Sequence, residues 1–231
     1  LTVTEPSASS GGRLHGLDAL RGIAAACVVL MHAHVLYPDT PDLSPRAYLA
    51  VDFFFALSGF VMARTYEPRL RAGLPWHRFL RARYRRLWPT MFLGGVLFLP
   101  FLSEATADPD PHWLQQVLAN LLLLPSALSE NLFPLNAPAW SIFFELVANL
   151  FHGLVLWRFG LRGILLTTAL SGIALAFFAS IAGTLDIGSE HSELLAGLFR
   201  VGLTYSLGIG LWRLQVQRLG RHWLIIPSII A

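Results

Sequence analysis

The chain has 231 residues and a mass of 25.6 kDa, with 55% hydrophobic and 13% charged residues and a mean hydropathy of +0.56. Soluble domains carry about 25% charged residues, so this composition excludes a series of water-soluble domains, a disordered chain and, with Cys27 the single cysteine, a disulfide scaffold. The formal net charge of +3 comes from 17 basic residues, all arginine, and their clustering between apolar runs points to membrane topology rather than to nucleic acid.

Residues 1–16, rich in Ser and Gly, are expected to form a cytoplasmic tail. The apolar run 17–37 is long enough to span, carries Asp18 and Arg21 at its start and lacks a small-x-small cleavage site, so it reads as a first membrane helix and not as a secretory signal. Pro38, Pro41 and Pro45 punctuate an outside loop, and a second, Phe-rich span covers 48–65. Arg64, Arg69, Arg71, Arg78, Arg81, Arg83, Arg85 and Arg86 follow, a cluster that the positive-inside rule assigns to the cytoplasmic face. The stretch 69–86 is expected to include a short interfacial helix before a third span over 84–102.

Glu104, Asp108 and Asp110, with no Arg among them, place the next loop outside. The apolar piece 113–124 is too short for a hydrocarbon core of ~30 Å, and reads as re-entrant or interfacial. Charge supports this, because the next run, 139–157, ends at Arg158 and Arg162, which fall inside only if 113–124 does not cross. Runs 163–184 and 194–212 flank an acidic loop with Asp186, Glu190 and Glu193 and lead to Arg213, Arg218 and Arg221, again inside; a last span begins near Trp223. The expected fold is all-α, a polytopic transmembrane helix bundle of about seven spans plus one re-entrant or interfacial segment, forming a single domain over 17–231. The missing starting Met and the abrupt apolar end suggest a bundle incomplete at its C-terminus.

Ionisable groups inside apolar spans cost about 2.5–3.5 kcal/mol each, so each is a functional candidate. Arg21 and His32 are three helical turns apart, on one face and separated by about 16 Å, with Asp18 placed to pair with Arg21. His32 is either a satisfied core histidine or a general base, the imidazole being the usual proton acceptor near neutral pH. Glu145 lies within an otherwise apolar run and needs a partner or a proton; Ser141, Glu145 and Asn149 share one face, either as a clamp between helices or as a site. Ser58, followed by Gly59, suits close helix packing better than nucleophilic attack, and Asp52 is a cap, an interfacial group or a site residue. Arg83 and Arg86, at i and i+3, have a spacing suited to gripping phosphates, from a lipid headgroup or from a nucleotide-like ligand.

Four segments in order carry a family resemblance. Leu17-Asp18-Ala19-Leu20-Arg21-Gly22 with His32, Val51-Asp52-Phe53-Phe54-Phe55-Ala56-Leu57-Ser58-Gly59-Phe60, Arg83-x-x-Arg86-Leu-Trp-Pro89, and Pro138-Ala139-Trp140-Ser141-Ile142 with Glu145 resemble the signatures of the acyltransferase 3 family of integral-membrane O-acyltransferases. Family members have about ten spans, so the resemblance makes this chain their amino-terminal two thirds. It implies transfer of an acyl group, most often acetyl, from cytoplasmic acyl-CoA to a hydroxyl of a carbohydrate or related acceptor in a bacterial inner membrane, with no permanently bound cofactor and no metal. His32 becomes the expected base, Glu145 a group that orients the imidazole or binds the acceptor, and Asp18, Arg21, Ser58, Arg83, Arg86, Trp140 and Ser141 expected substrate contacts. The competing readings are a proton-coupled transporter or flippase using the same ionisable groups, and a non-catalytic membrane partner.

Overall fold

The computed structural model describes residues 15–37, 39, 41, 43, 46–105 and 112–225. Within them the regular structure is helical: α1 His15–Leu36, α2 Tyr48–Arg71, α3 Trp76–Ala105, α4 Trp113–Leu121, α5 Ala139–Leu154, α6 Leu161–Ala182 and α7 Leu194–Ile225, with single 3₁₀ turns at Leu156–Arg158 and His191–Glu193. The chain divides into two compact units, Leu1–Phe54 and Phe55–Ala231. Among the described residues, four helices are long and apolar enough to cross a membrane, within Gly16–Ala33, Tyr48–Arg71, Leu161–Ala182 and His191–Val216. The protein is therefore an all-α integral membrane protein.

In the first unit α1 is 22 residues long, about 33 Å, which matches the hydrocarbon thickness. Its Leu20, Ile23, Val29 and Leu30 side chains are exposed, a surface that hydrocarbon satisfies and water does not. Asp52 falls in the second turn of α2, past its first residue Tyr48, and so does not cap it.

In the second unit the Arg-rich segment forms no separate interfacial helix, contrary to the sequence expectation. Here α2 runs on to Arg71, through Pro68, and α3 starts at Trp76, so the basic residues lie on two helix ends joined by a tight turn. Gly73 makes the turn possible: its φ of 96° is left-handed, and Leu74 N donates to Arg69 O at 2.9 Å to close the end of α2. Pro75, lacking an N–H, precedes the first turn of α3, where no intrahelical partner is lost.

The short apolar segment behaves as its length requires. After nine residues α4 ends, and Leu121 O accepts from Trp88 Nε1 at 2.7 Å near the middle of α3. The chain then turns through Leu123, whose φ is positive, and Pro125. The irregular stretch that follows is packed within protein: Leu132, Phe133 and Leu135 are buried, and the Leu135 N–H is received by the buried Asn120 Oδ1 at 3.1 Å. Non-helical backbone at depth is tolerated where protein satisfies it in this way. The separate span expected from Trp223 is not distinguished from α7, which is continuous to Ile225, and the rest of that segment lies outside the described residues.

The ends that the charge rule groups together meet. Arg213 on α7 donates to Phe159 O and Leu156 O after α5, and to Glu67 near the end of α2. At the opposite end Leu132 N donates to Ser189 O at 2.9 Å and His191 N to Glu130 O at 3.0 Å, joining the segment before α5 to the acidic loop before α7. Between these ends α2 and α7 touch backbone to backbone. A Cβ on Gly59 would collide with the Tyr205 carbonyl, and one on Gly208 with the Ala56 carbonyl, so only hydrogen fits at either place.

Candidate active site

Three of the four sequence segments converge on one carboxylate oxygen. Glu145 Oε1 accepts from Arg83 Nη2 at 2.8 Å and from Ser58 Oγ at 2.7 Å, which brings α2, α3 and α5 together. The Arg83 side chain is 5% exposed and that of Glu145 13%, so the pair is largely withdrawn from solvent and each charge depends on the other. Arg83 is thus turned into the bundle, while Arg86 is exposed. The two do not share one phosphate-facing surface as their spacing suggested. A carboxylate inside an apolar helix needs a cation, and Arg83 is the one that reaches it.

The polar stripe on α5 is divided. Ser141 Oγ turns back to Pro138 O at 2.9 Å, a local bond in the first turn. Asn149, fully buried, meets Tyr205 Oη at 3.0 Å on α7. Trp140 lies edge-on to Phe55 and Phe144, with the Arg200 guanidinium 5.5 Å over its ring. The Ser58 hydroxyl donates to Glu145, a role distinct from the packing and the nucleophilic attack considered for it, while the adjacent Gly59 allows α7 to approach.

Asp18, Arg21 and His32 lie on α1 in the first unit. Asp18 and Arg21 are exposed, and His32 is half-buried. The imidazole Nδ1 is 2.8 Å from Val28 O, one turn back. A carbonyl can only accept, so Nδ1 carries a proton, and in the neutral tautomer this fixes, Nε2 presents the lone pair. This is the tautomer that a base needs.

A second buried cluster was not anticipated. Glu67, 4% exposed, takes Arg213 Nη2 at 2.6 Å and Arg71 Nη2 at 3.2 Å, and its Oε1 is 3.9 Å from Nε2 of the fully buried His152. His152 Nδ1 in turn lies 3.2 Å from Tyr205 Oη. Glu67 was masked by the arginines around it, which make the segment read as surface, and Tyr205 by an apolar helix in which an aromatic residue needs no explanation. His152 had a usable signal, since it follows Glu145 by seven residues on the same face.

Comparisons with known proteins give matches at the sequence level. The chain matches the family model described as an acyltransferase domain over residues 14–231. It is 37% identical to "Protein 2 in picA locus" of Rhizobium radiobacter, over 67% of this chain and 86% of that protein. It is 28% identical to "Acyltransferase MdmB" of Streptomyces mycarofaciens, over 56% of this chain and 36% of that protein, so the match spans about a third of the latter's length. No solved structure matches. With a family match covering nearly the whole chain and the motif residues of α2, α3 and α5 joined at one buried carboxylate, the chain belongs to the acyltransferase 3 family and is a membrane O-acyltransferase.

Proposed function

We propose that the protein transfers an acyl group, acetyl in the first instance, from cytoplasmic acyl-CoA to a hydroxyl of a carbohydrate or related acceptor, with its N-terminus on the cytoplasmic side of a bacterial inner membrane. The observation that carries this reading is the convergence of Ser58, Arg83 and Glu145, drawn from three separate signature segments, on a single buried ion pair. His32 Nε2 takes the acceptor proton as the hydroxyl oxygen attacks the thioester carbonyl; the C–S bond breaks, and the imidazolium returns the proton to the departing thiolate. A positioned base contributes about 10²–10⁴-fold, and holding two substrates together contributes more.

Glu145 receives acceptor hydroxyls on the carboxylate edge that Arg83 and Ser58 leave open, with Trp140 and Ser141 beside it on α5. The exposed Arg86, with its neighbours on the first turns of α3, binds the phosphates of the donor; Arg83 acts through Glu145. Asp18 and Arg21 hold the cytoplasmic end of α1 and contact the donor. The test is a proteoliposome assay with acetyl-CoA and a panel of carbohydrate acceptors, following free thiol. Acceptor-dependent thiol release is expected. Thiol release that is absent with every acceptor and acyl-CoA, in membranes where the protein is folded, overturns the reading.

A further inference from the structure

The Glu67–His152–Tyr205–Asn149 cluster contains more order than a list of neighbours. Four residues from α2, α5 and α7 form a line, and proton counting along it leaves one arrangement. Glu67 can only accept. Its charge is already met by Arg213 and Arg71, so a third cation on His152 would sit buried and uncompensated. A neutral ring has one proton, and placing it on Nδ1 would aim the Nε2 lone pair at the carboxylate 3.9 Å away. The proton therefore belongs on Nε2, directed at Glu67, and Nδ1 is an acceptor.

Tyr205 has one hydroxyl proton and two neighbours, His152 Nδ1 at 3.2 Å and the Asn149 amide at 3.0 Å. With Nδ1 accepting, the hydroxyl donates there, and Asn149 must offer its NH₂ to the phenolic oxygen. The two ends of an amide are interchangeable in shape, so this needs only a rotation of the amide group. Asn149 Nδ2 and His152 Nε2 are both buried without a hydrogen-bond partner; this ordering gives Asn149 Nδ2 the phenolic oxygen and turns the Nε2–H toward the Glu67 charge 3.9 Å away, an electrostatic contact and not a hydrogen bond.

We propose that Asn149, Tyr205 and His152 form one directed hydrogen-bond chain, each donating to the next and ending with the His152 Nε2–H turned toward the Glu67 charge, that fixes the rotation of α5 and so holds Glu145 on Arg83 and Ser58. Asn149 and His152 lie four and seven residues beyond Glu145, on the same face, so turning α5 to break the chain also swings the carboxylate away. Tyr205 is itself fixed from behind, because Gly59, next to Ser58, packs on its carbonyl. His152 and Tyr205 are positioning residues, remote from the reacting atoms. The inference rests on the reading of Glu145 as part of the acyl-transfer site.

Two measurements test it. Nitrogen-15 NMR of the histidine-labelled protein in bilayers should show His152 protonated at Nε2 and not at Nδ1, and Tyr205→Phe should move the Nδ1 resonance while leaving Nε2 protonated. The same variant should lower kcat about tenfold, the effect of losing one buried hydrogen bond, with the donor KM within about twofold. His152→Gln, which keeps a donor toward Glu67, should retain more turnover than His152→Ala. A proton on Nδ1 in the wild-type protein, or unchanged kcat in a folded Tyr205→Phe variant, overturns the proposal. The tautomer is read without any substrate, so it stands or falls apart from the acyl-transfer reading.

Discussion

Glu145 is a carboxylate six residues past the start of an apolar helix, and its environment determines what substitutions there do. Arg83 and Ser58 compensate its charge, so removing one member leaves the others buried and unmatched. Arg83→Ala should therefore destabilise the folded protein by about 3–5 kcal/mol and abolish transfer, as measured by thermal unfolding in detergent and by thiol release. The double change Arg83→Met with Glu145→Met should recover much of the stability and none of the activity. Equal activity loss with no stability loss in Arg83→Ala would show that the pair is not the buried contact described. Glu145 could be recognised in the sequence because a carboxylate in an apolar run has no bland explanation. Its partner could not, because Arg83 is one of eight arginines between 64 and 86 and topology already accounts for all of them. Only the fold separates the inward Arg83 from the exposed Arg86.

At the scale of elements, apolar periodicity located α1, α2, α5, α6 and α7 well, because spans are long and lipid tolerates little irregular backbone. One expectation fails where the hydropathy signal is weak. The basic segment 69–86 is expected to include a short interfacial helix, yet helix propensity carries α2 and α3 through their arginines until Gly73 and Pro75 force the turn. The joint between α2 and α7 is only half visible in the sequence: Gly59 follows Ser58 in a signature segment and suits close packing, whereas Gly208 lies in a helix with no signature segment. Gly59→Val and Gly208→Val should each lower stability by about 1–3 kcal/mol or more, since backbone carbonyls cannot give way as side chains do. Gly59→Val should also reduce turnover, because Ser58 is its neighbour. Wild-type unfolding temperatures in both variants would contradict the close approach.

For the whole molecule, composition alone established a membrane protein, and the placement of the 17 arginines added a direction. In the second unit Arg213, the turn after α5 and Glu67 lie at one end and the acidic loop at the other. On a Cys27→Ser background, Ser192→Cys should react with a membrane-impermeant maleimide in intact cells, and Ala72→Cys only after permeabilisation. The reverse pattern would invert the proposed orientation. The proposed chemistry is the least visible from composition; it assigns the base to His32, whose Nδ1 lies 2.8 Å from Val28 O. The most direct test of the account is turnover of the His32→Ala protein, shown by its unfolding temperature to be folded, with acetyl-CoA and acceptor in proteoliposomes. The account predicts a fall of about 10²–10⁴-fold with donor binding retained, and turnover within a few-fold of wild type would contradict it.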